Sequence, residues 1–382
     1  MQSNKVLITG IGIISSLGEG LEAHWNAFSS TDTKPQLETT EFAPYVVHKL
    51  GEVDWNCQIP KRSDQRQMET WQRLGTYAAG LALEDAGIKD DENLCATMDM
   101  VVGAGGGERD ISVDTQILEE GRVNENRGLM LNDKLSTELR PTLFLAQLSN
   151  LLAGNISIVH KVTGSSRTFM GEEGAGISAI ETAAARIRSG QSTHALVGGS
   201  YNAEHFDMIL GHELGGLLKH DGWAPVWSRE GSAGGGMISG SGGVFLVLES
   251  EAHAKARGAR AYAEIAEMLT SQIQRDNSDL QEVISDMLAR AGSADVTISG
   301  VSGAHQATVA EKAALEAAKI NYQDVTSLTG HLREAQFPLT VALAALSVWK
   351  GKALADQTDV ASALATTIGA SRAEGIAKLV KA

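Results

Sequence analysis

Residues 164–190, GSSRTFMGEEGAGISAIETAAARIRSG, decide the fold of this chain. They predict a short polar strand over 166–170, then a tight turn and a helix. The helix is indicated by small apolar residues that would lie near one face, at Ala175, Ala179, Ala183 and Ile187. Glu172 and Glu173 stand at its predicted start, where unpaired N–H groups and a partial positive charge stabilise an acidic side chain. Enzymes also place ionised thiolates at such a start, so the segment is either a capped helix or an altered active site.

Composition and charge exclude several classes of function. Of the 382 residues, 43% are hydrophobic and 21% are charged, which is enough for one large domain or two packed halves. The formal net charge of −15 argues against binding to nucleic acid or anionic membranes, but leaves room for an acidic partner on a local basic patch. Two cysteines, Cys57 and Cys95, suit a reducing compartment rather than a disulfide framework. The chain has no signal-peptide pattern and no run of 18 apolar residues, so we expect a cytoplasmic protein without a membrane span.

Two patterns that could indicate a cofactor or a metal fail on spacing. Gly10, Gly12 and Gly18 follow a predicted strand but do not form G-x-G-x-x-G, so we interpret them as a tight strand exit and expect no cofactor. The segment 205–227 contains three histidines but lacks H-E-x-x-H. We interpret it as a loop-rich segment with scattered histidines and expect no metal.

Strands alternate with helices along the whole chain. Strands are predicted at 5–10, 98–102, 166–170, 194–198, 239–249, 262–268, 296–301 and 376–380. Helices are predicted at 22–28, 68–86, 142–152, 280–291, 309–318 and 339–349. This alternation predicts an α/β protein whose sheets are largely parallel and covered on both faces.

Five stretches, taken together, resemble the beta-ketoacyl-ACP synthases, most closely the type II elongating enzymes of fatty acid synthesis. VLITGIGIISSLGEGLEAHW (6–25) is similar to that family's opening strand and loop, and RQMETWQRLGTYAAGLALEDAGI (66–88) to its first long helix. AAARIRSGQSTHALVGGS (183–200) resembles the helix and strand after its nucleophile. GGVFLVLESEAHAKARGARAYAEI (242–265) is the most specific match, and SLTGHLREA (327–335) stands where the family has its second active-site histidine.

This resemblance implies a fold and an assembly. The fold would be the thiolase fold, a duplicated five-layer αβαβα architecture with one half over 1–250 and the other over 251–382. The resemblance also implies a dimer in which the strand before the nucleophile pairs with the same strand of the partner. In this chain that strand comprises Ser166, Arg167, Thr168, Phe169 and Met170.

The family reaction is a decarboxylating Claisen condensation, and this chain departs from it at the nucleophile. A cysteine in a T-A-C-A-S-G pattern accepts an acyl chain from acyl carrier protein, because a thiolate attacks near neutral pH and leaves well from a thioester. The corresponding run here is GEEGAG (171–176), which places Glu173 at the nucleophile position.

The other catalytic positions are retained unevenly. Thr329-Gly330-His331 matches the family's T-G-H, so His331 is expected to be the second histidine, although Thr326 replaces the usual lysine. Counting back from residues 310–311 places a glycine or valine at the first histidine, and His305 fills that role only if the loop is shortened. Gly369 and Ala370 are the nearest counterparts of the gating loop that supplies an oxyanion-hole N–H.

Three functions remain open from the sequence. The first is a non-condensing, chain-length-factor-like subunit that pairs with an intact ketosynthase and shapes an acyl tunnel at the shared interface. The second is an active 3-oxoacyl-ACP synthase or malonyl-ACP decarboxylase that uses Glu173 and His331 in an unconventional way. The third is a scaffold that binds an acyl chain or acyl carrier protein. All three make acyl carrier protein or an acyl chain the expected partner, in a homodimer or a heterodimer.

Overall fold

The structure, a computed structural model, describes residues 4–382, except for the side chains of residues 145 and 146. The strands are β1 Val6–Ser15, β2 Gly18–Glu19, β3 Leu37–Glu38, β4 Val47–His48, β5 Asp99–Gly103, β6 Ser166–Phe169, β7 His194–Tyr201, β8 Gly242–Ser250, β9 Ala263–Ser271, β10 Val296–Ser299, β11 Tyr322–Asp324, β12 Ser362–Ile368 and β13 Glu374–Val380. The helices are α1 Gly20–Ser29, α2 Arg62–Gln67, α3 Thr70–Asp85, α4 Glu92–Thr97, α5 Ile111–Val123, α6 Arg127–Thr137, α7 Leu143–Ala146, α8 Leu151–His160, α9 Glu172–Arg188, α10 Phe206–Leu214, α11 Glu251–Ala256, α12 Leu280–Ala291, α13 His305–Ala317, α14 Thr326–Thr329 and α15 Gln336–Lys350.

The sheet consists of two five-stranded halves with the same strand order. One half runs β6-β5-β7-β8-β1 and the other runs β11-β10-β12-β13-β9. Numbered along the chain, both halves read 3-2-4-5-1. They join where Leu7 and Ile8 of β1 pair with Glu264 and Ala263 of β9. The fold is therefore a duplication, as the resemblance implies, and the boundary placed at residue 250 stays a prediction.

Helices cover both halves and fill the space between them. Helices α3 and α8 lie outside the first half, α12 and α13 lie outside the second, and α9 packs against α15 in the middle. Every residue from Gln336 to Val348 in α15 is buried, as expected for a helix surrounded by protein on all sides. The predicted five-layer α/β architecture is thus confirmed. Within residues 4–382, no helix is both long and apolar enough to cross a bilayer.

The prediction of largely parallel sheets is wrong. The three outer strands of each half are parallel, but β8, β1, β9 and β13 at the centre pair in antiparallel fashion. The apolar pattern of the buried strands did not indicate their direction, because a strand covered on both faces is apolar throughout whether its neighbours are parallel or antiparallel.

Three local predictions also need correction. The helix predicted over 142–152 is broken into α7 and α8, with a turn between them. The segment 205–227 contains the helix α10 rather than loop alone. The strand β12, SALATTI, was not predicted from the sequence, because its buried positions hold small and polar residues and form no clear apolar run.

Gly10 and Gly12 lie inside β1 because α3 crosses that strand closely. A Cβ atom added at Gly12 would stand 2.1 Å from the carbonyl oxygen of Ala78, and one at Gly10 would stand 2.4 Å from that of Ala82. The glycines therefore serve helix–strand packing, and they lie within the strand rather than at its exit.

Gly12→Ala is expected to lower the free energy of unfolding by about 1–3 kcal/mol, because the methyl group must displace α3. Urea unfolding followed by circular dichroism measures the change. Gly128→Ala in α6 is the control, since an added Cβ meets nothing within 4 Å there and alanine favours the helix. Equal effects of the two substitutions would contradict the packing argument.

Candidate functional site

Glu173 is held at the start of α9 by a strained turn. The strand β6 ends at Phe169, Gly171 has a φ of 123° and Glu172 has a φ of 53°. A left-handed backbone at a non-glycine residue costs about 1–3 kcal/mol, so the surrounding packing must fix this turn. The turn directs Glu173 inward, and its side chain is only 2% exposed.

The Glu173 carboxylate contacts two groups that the family resemblance predicts for the site, His331 and the loop that contains Ala370. The atom Oε1 lies 2.7 Å from Nε2 of His331 and accepts a 2.9 Å hydrogen bond from the backbone N–H of Ala370. Within the described residues, Oε2 of Glu173 and Nδ1 of His331 have no hydrogen-bond partner. The structure therefore brings together three of the predicted site residues, which are widely separated in the sequence.

Opposing effects act on the pKa of the Glu173 carboxyl group. Burial raises the pKa, but the electrostatic effect of His331 and the hydrogen bonds from His331 and Ala370 outweigh it and lower the pKa to about 2. Glu173 is thus a buried carboxylate, and its ionised form depends on its contacts with His331 and Ala370.

Backbone hydrogen bonds hold both partners of Glu173 in place. His331 follows Gly330, whose φ is 71°, and its N–H and C=O groups bond with Ile238 and Gly240. In the other loop, the N–H of Gly369 donates to the carbonyl of Ala373 at 2.8 Å. The geometry leaves Ala370 with its N–H aimed at Glu173.

The side-chain hydrogen bonds of His305 go to groups other than Glu173 and His331. The Nε2 atom of His305 lies 2.9 Å from the carbonyl oxygen of Gly234 and 3.3 Å from that of Ser232. The hypothesis that it acts as the first histidine gains no support from these contacts. Val301, the valine of the stretch in which a glycine or valine was expected in place of that histidine, is buried, and its carbonyl accepts a 2.7 Å hydrogen bond from the Thr326 hydroxyl.

Several polar residues near the pair were missed by the sequence analysis. Arg333 lies 3.7 Å from Glu172 and 3.8 Å from Glu334, and its guanidinium stands 5.3 Å from the ring centroid of Tyr201. Burial, with the positive charges of Arg333 and His331, lowers the pKa of His212 to about 3. Arg333 and Glu334 follow His331 within two and three positions, but nothing in their spacing indicates a buried ion pair.

An open cleft of about 390 Å³ lies beside the turn that holds Glu173. Its walls include Gly171 and Gly174 at the start of α9, Thr270 at the end of β9, and the exposed Arg372. Among residues 4–382, no group of three histidine, cysteine or acidic side chains is placed so that it could hold a metal ion.

The two cysteines stand elsewhere. Cys57 is exposed at the end of the short 3-10 turn over 55–57. Cys95 is buried in α4, within the outer apolar layer that also contains Ile88 and Met98.

The strand β6 forms an open edge of the sheet. It pairs in parallel with β5, where the N–H of Met100 donates to Ser165 and the N–H of Ala104 donates to Phe169. Because successive residues of a strand face opposite sides, Thr168 turns its own N–H and C=O away from β5. An unpaired edge of this kind can pair with another strand.

A second buried carboxyl group, Glu311, lies on α13 away from the Glu173 pair. Its Oε1 atom accepts hydrogen bonds from Ser299 at 2.8 Å and Thr366 at 2.6 Å, while Oε2 has no partner among the described residues. Burial raises the pKa of Glu311 to about 7, against the effect of the two hydroxyl groups. Protonated Glu311 therefore contributes to the stability of the folded chain. This contribution is fully present below about pH 4.5 and is lost as the pH rises through 7.

Glu311→Gln is expected to raise the free energy of unfolding at pH 8 by about 3 kcal/mol and to leave it unchanged at pH 4. The amide imitates the protonated acid, so the variant avoids burying a charge. Urea unfolding at the two pH values measures the difference, with the exposed Glu316→Gln on the same helix as the control. A similar gain at both pH values would show that Glu311 is not protonated on folding.

Comparisons with known proteins agree with this architecture. The model of the family described as "Beta-ketoacyl synthase, N-terminal domain" matches residues 3–254. The 3-oxoacyl-[acyl-carrier-protein] synthase 2 of Rhizobium meliloti is 26% identical over 381 residues, covering 90% of this chain and 86% of that protein. The corresponding synthase of Vibrio cholerae is 26% identical over 274 residues, which cover 69% of this chain but only 62% of that protein.

Solved structures show the same fold at low sequence identity. The ishigamide ketosynthase/chain length factor superposes over the full length of both chains with a TM-score of 0.80 and 20% identity. A type II polyketide synthase ketosynthase in complex with its acyl-carrier protein gives a TM-score of 0.74 and 16% identity, also over both full chains. A beta-ketoacyl synthase from Burkholderia phymatum gives 0.78 and 18%, covering 99% of this chain and 100% of that chain.

Proposed function

Because this chain belongs to the beta-ketoacyl synthase family, we propose that it is a non-condensing, chain-length-factor-like subunit that pairs with an intact ketosynthase. The fold it shares with a ketosynthase/chain length factor is compatible with this role. The proposal depends on the chemistry of the Glu173 site.

The observation that carries the proposal is the double engagement of Glu173. Oε1 of Glu173 lies in hydrogen-bond contact with Nε2 of His331 and also accepts the N–H of Ala370. In the family reaction, the histidine and the gating-loop N–H act on the substrate, so here an internal side chain occupies both groups. A carboxylate does not form and release a thioester as a thiolate does. Its charge would also repel a malonyl carboxylate from the same position.

The open cleft beside Glu173 supports acyl carrier protein as a partner. Its walls contain one cation, the exposed Arg372 next to the N-terminus of α9, and one acidic side chain, Glu181, which accepts a 2.9 Å hydrogen bond from Thr270. Such a cleft suits the phosphate of a carrier-protein prosthetic arm. In this role the cleft receives the arm, while the acyl transfer takes place on the ketosynthase partner.

The proposal is tested by co-expressing the chain with an intact ketosynthase that contains T-A-C-A-S-G. We expect a stable heterodimer whose products differ in acyl length from those of the ketosynthase alone. Native mass spectrometry measures the assembly, and mass spectrometry of the carrier-bound products measures their length. A homodimer that leaves product length unchanged would count against the proposal.

The open edge of β6 predicts how the two subunits associate. Thr168→Pro removes an outward N–H without affecting the bonds to β5, because proline is tolerated on an edge strand. We expect this variant to lose the dimer, whereas Thr168→Val keeps it. Size-exclusion chromatography with light scattering measures the assembly. A proline variant that remains dimeric would place the interface elsewhere.

A second candidate, a malonyl-ACP decarboxylase, is favoured by one observation. Nδ1 of His331 has no partner among the described residues, so the ring retains a nitrogen that could act on a substrate. This candidate predicts CO2 release from malonyl-ACP by the purified chain, and loss of that release in His331→Ala. CO2 release at the background rate would exclude it.

A further inference from the structure

Four side chains that line one small cavity share an unusual property. Each has at least one buried polar atom without a hydrogen-bond partner in the described part of the chain. These atoms are Nε1 of Trp71, the hydroxyl of Tyr201, Nε of Arg333 and both carboxylate oxygens of Glu334. Glu334 is 1% exposed, so neither carboxylate oxygen is hydrated by bulk solvent.

The cavity is far too small for a hydrocarbon chain. Its volume is about 10 Å³, which is room for about one water molecule. Pockets for small organic ligands have volumes on the order of 300–1,000 Å³. The unpartnered atoms include both donors and acceptors, which is the combination that a buried water satisfies.

This cavity adjoins the Glu173 site directly. The backbone of Glu334 packs against α9, because a Cβ atom added at Gly176 would stand 2.3 Å from the Glu334 carbonyl oxygen. The guanidinium of Arg333 reaches Glu172, the residue before Glu173. The Glu334 carboxylate also packs against Gly105, because a Cβ atom added at Gly105 would stand 2.8 Å from Oε1 of Glu334. Arg333 and Glu334 therefore occupy the interior immediately behind the site.

We propose that Arg333 and Glu334 form a polar plug, which closes the interior of this subunit to acyl chains and leaves water in the cavity beside it. This inference rests on the proposed function, since it assigns the acyl chain to the ketosynthase side of the shared interface. The chain would then influence product length through its interface and not through a pocket of its own.

The energetics of burial support the plug. An acyl chain entering here would displace the water from the cavity and offer Glu334, Tyr201 and Arg333 no hydrogen bond in its place, and leaving buried polar groups unpaired is unfavourable. The backbone of Arg333 is left-handed, with a φ of 43°, a strained conformation that the surrounding packing must hold. Its position between Glu172 and Glu334 gives it two carboxylates to pair with, so it does not swing aside at low cost.

The test compares acyl binding by the purified full-length chain and two variants. The double variant Arg333→Leu/Glu334→Ala replaces the charges with a smaller apolar lining, and Arg333→Lys is the matched control that keeps the cation. With dodecanoate in isothermal titration, we expect no saturable binding by the original chain or the control. We expect the double variant to bind dodecanoate saturably, with an affinity at least about tenfold above the weakest that the titration detects. Saturable binding by the original chain that the double variant does not increase would overturn the plug.

Photolabelling of the original chain tests the plug without any variant. A diazirine-bearing palmitate is irradiated with the full chain, alone and with its ketosynthase partner, and labelled peptides are identified by mass spectrometry. Labels confined to the ketosynthase or to the surface of this chain support the plug. A label on Tyr201, Arg333 or Glu334 contradicts it.

If the heterodimer forms and changes product length but this cavity is labelled, the plug fails and the proposed function stands. If no heterodimer forms and the cavity stays unlabelled, the proposed function fails and the cavity remains closed to acyl chains.

Discussion

Arg333→Leu is expected to lower the free energy of unfolding by about 3 kcal/mol, the lower end of the cost of breaking a buried ion pair. The lower end applies because the Arg333 side chain is 19% exposed. Its removal leaves Glu334 with no cation within 4 Å among the described residues, while Glu172 and the Glu173 carboxylate add further negative charge. Leucine leaves the backbone strain unchanged, since it is no better suited than arginine to a positive φ. Urea unfolding at pH 7 measures the loss.

Removing both charges is expected to recover most of that loss. In Arg333→Leu/Glu334→Ala no buried carboxylate is left unpaired at position 334, although the smaller side chain creates a cavity. Arg333→Lys retains the charge and is expected to cost less than Arg333→Leu. If the double variant were less stable than Arg333→Leu by a further 3 kcal/mol, hydrogen bonding rather than charge would explain the role of Glu334.

Most helices and strands could be predicted from the sequence, but the direction of the strands at the centre of the sheet could not. Periodic apolar positions located α3, α9 and α15, because a helix buried on one or more faces imposes a 3.6-residue pattern. Strand direction depends on which distant strands become neighbours, such as β1 with both β8 and β9. No short pattern in the chain records that pairing, so the antiparallel centre of the sheet had to come from the structure.

Only part of the site could be predicted, because it too depends on residues that are far apart in the sequence. Glu173 and His331 are 158 positions apart, and only their likeness to family motifs suggested that they meet. The same motifs suggested Ala370, which the structure places on Glu173. The roles of Arg333 and Glu334 depend on burial, on a positive φ and on unpartnered atoms. These properties arise from tertiary packing and leave no pattern in the sequence.

His331→Ala is expected to lower the free energy of unfolding by about 3–5 kcal/mol, because it strands a buried carboxylate. Both side chains of the pair are at most 2% exposed, so water cannot replace the lost partner without a structural change. The Ala370 N–H remains as a donor, but a single neutral hydrogen bond does not compensate for the lost charge. Thermal and urea unfolding at pH 7 measure the effect, and the variant also serves in the decarboxylation assay.

Glu173→Gln is the matched control, because it keeps the shape of Glu173 and removes its charge. The amide oxygen can still accept from Ala370, and the interior no longer holds a carboxylate beside His331. We expect this variant to lose less stability than His331→Ala at pH 7 and to respond less to acid. The pKa of Glu173 is lowered from 4.5 to about 2 on folding, so its stabilising contribution is present above pH 4.5 and is lost as the pH falls to 2. The acid limb of the stability curve should therefore be flatter in Glu173→Gln, and an unchanged limb would mean that Glu173 is already neutral in the folded chain.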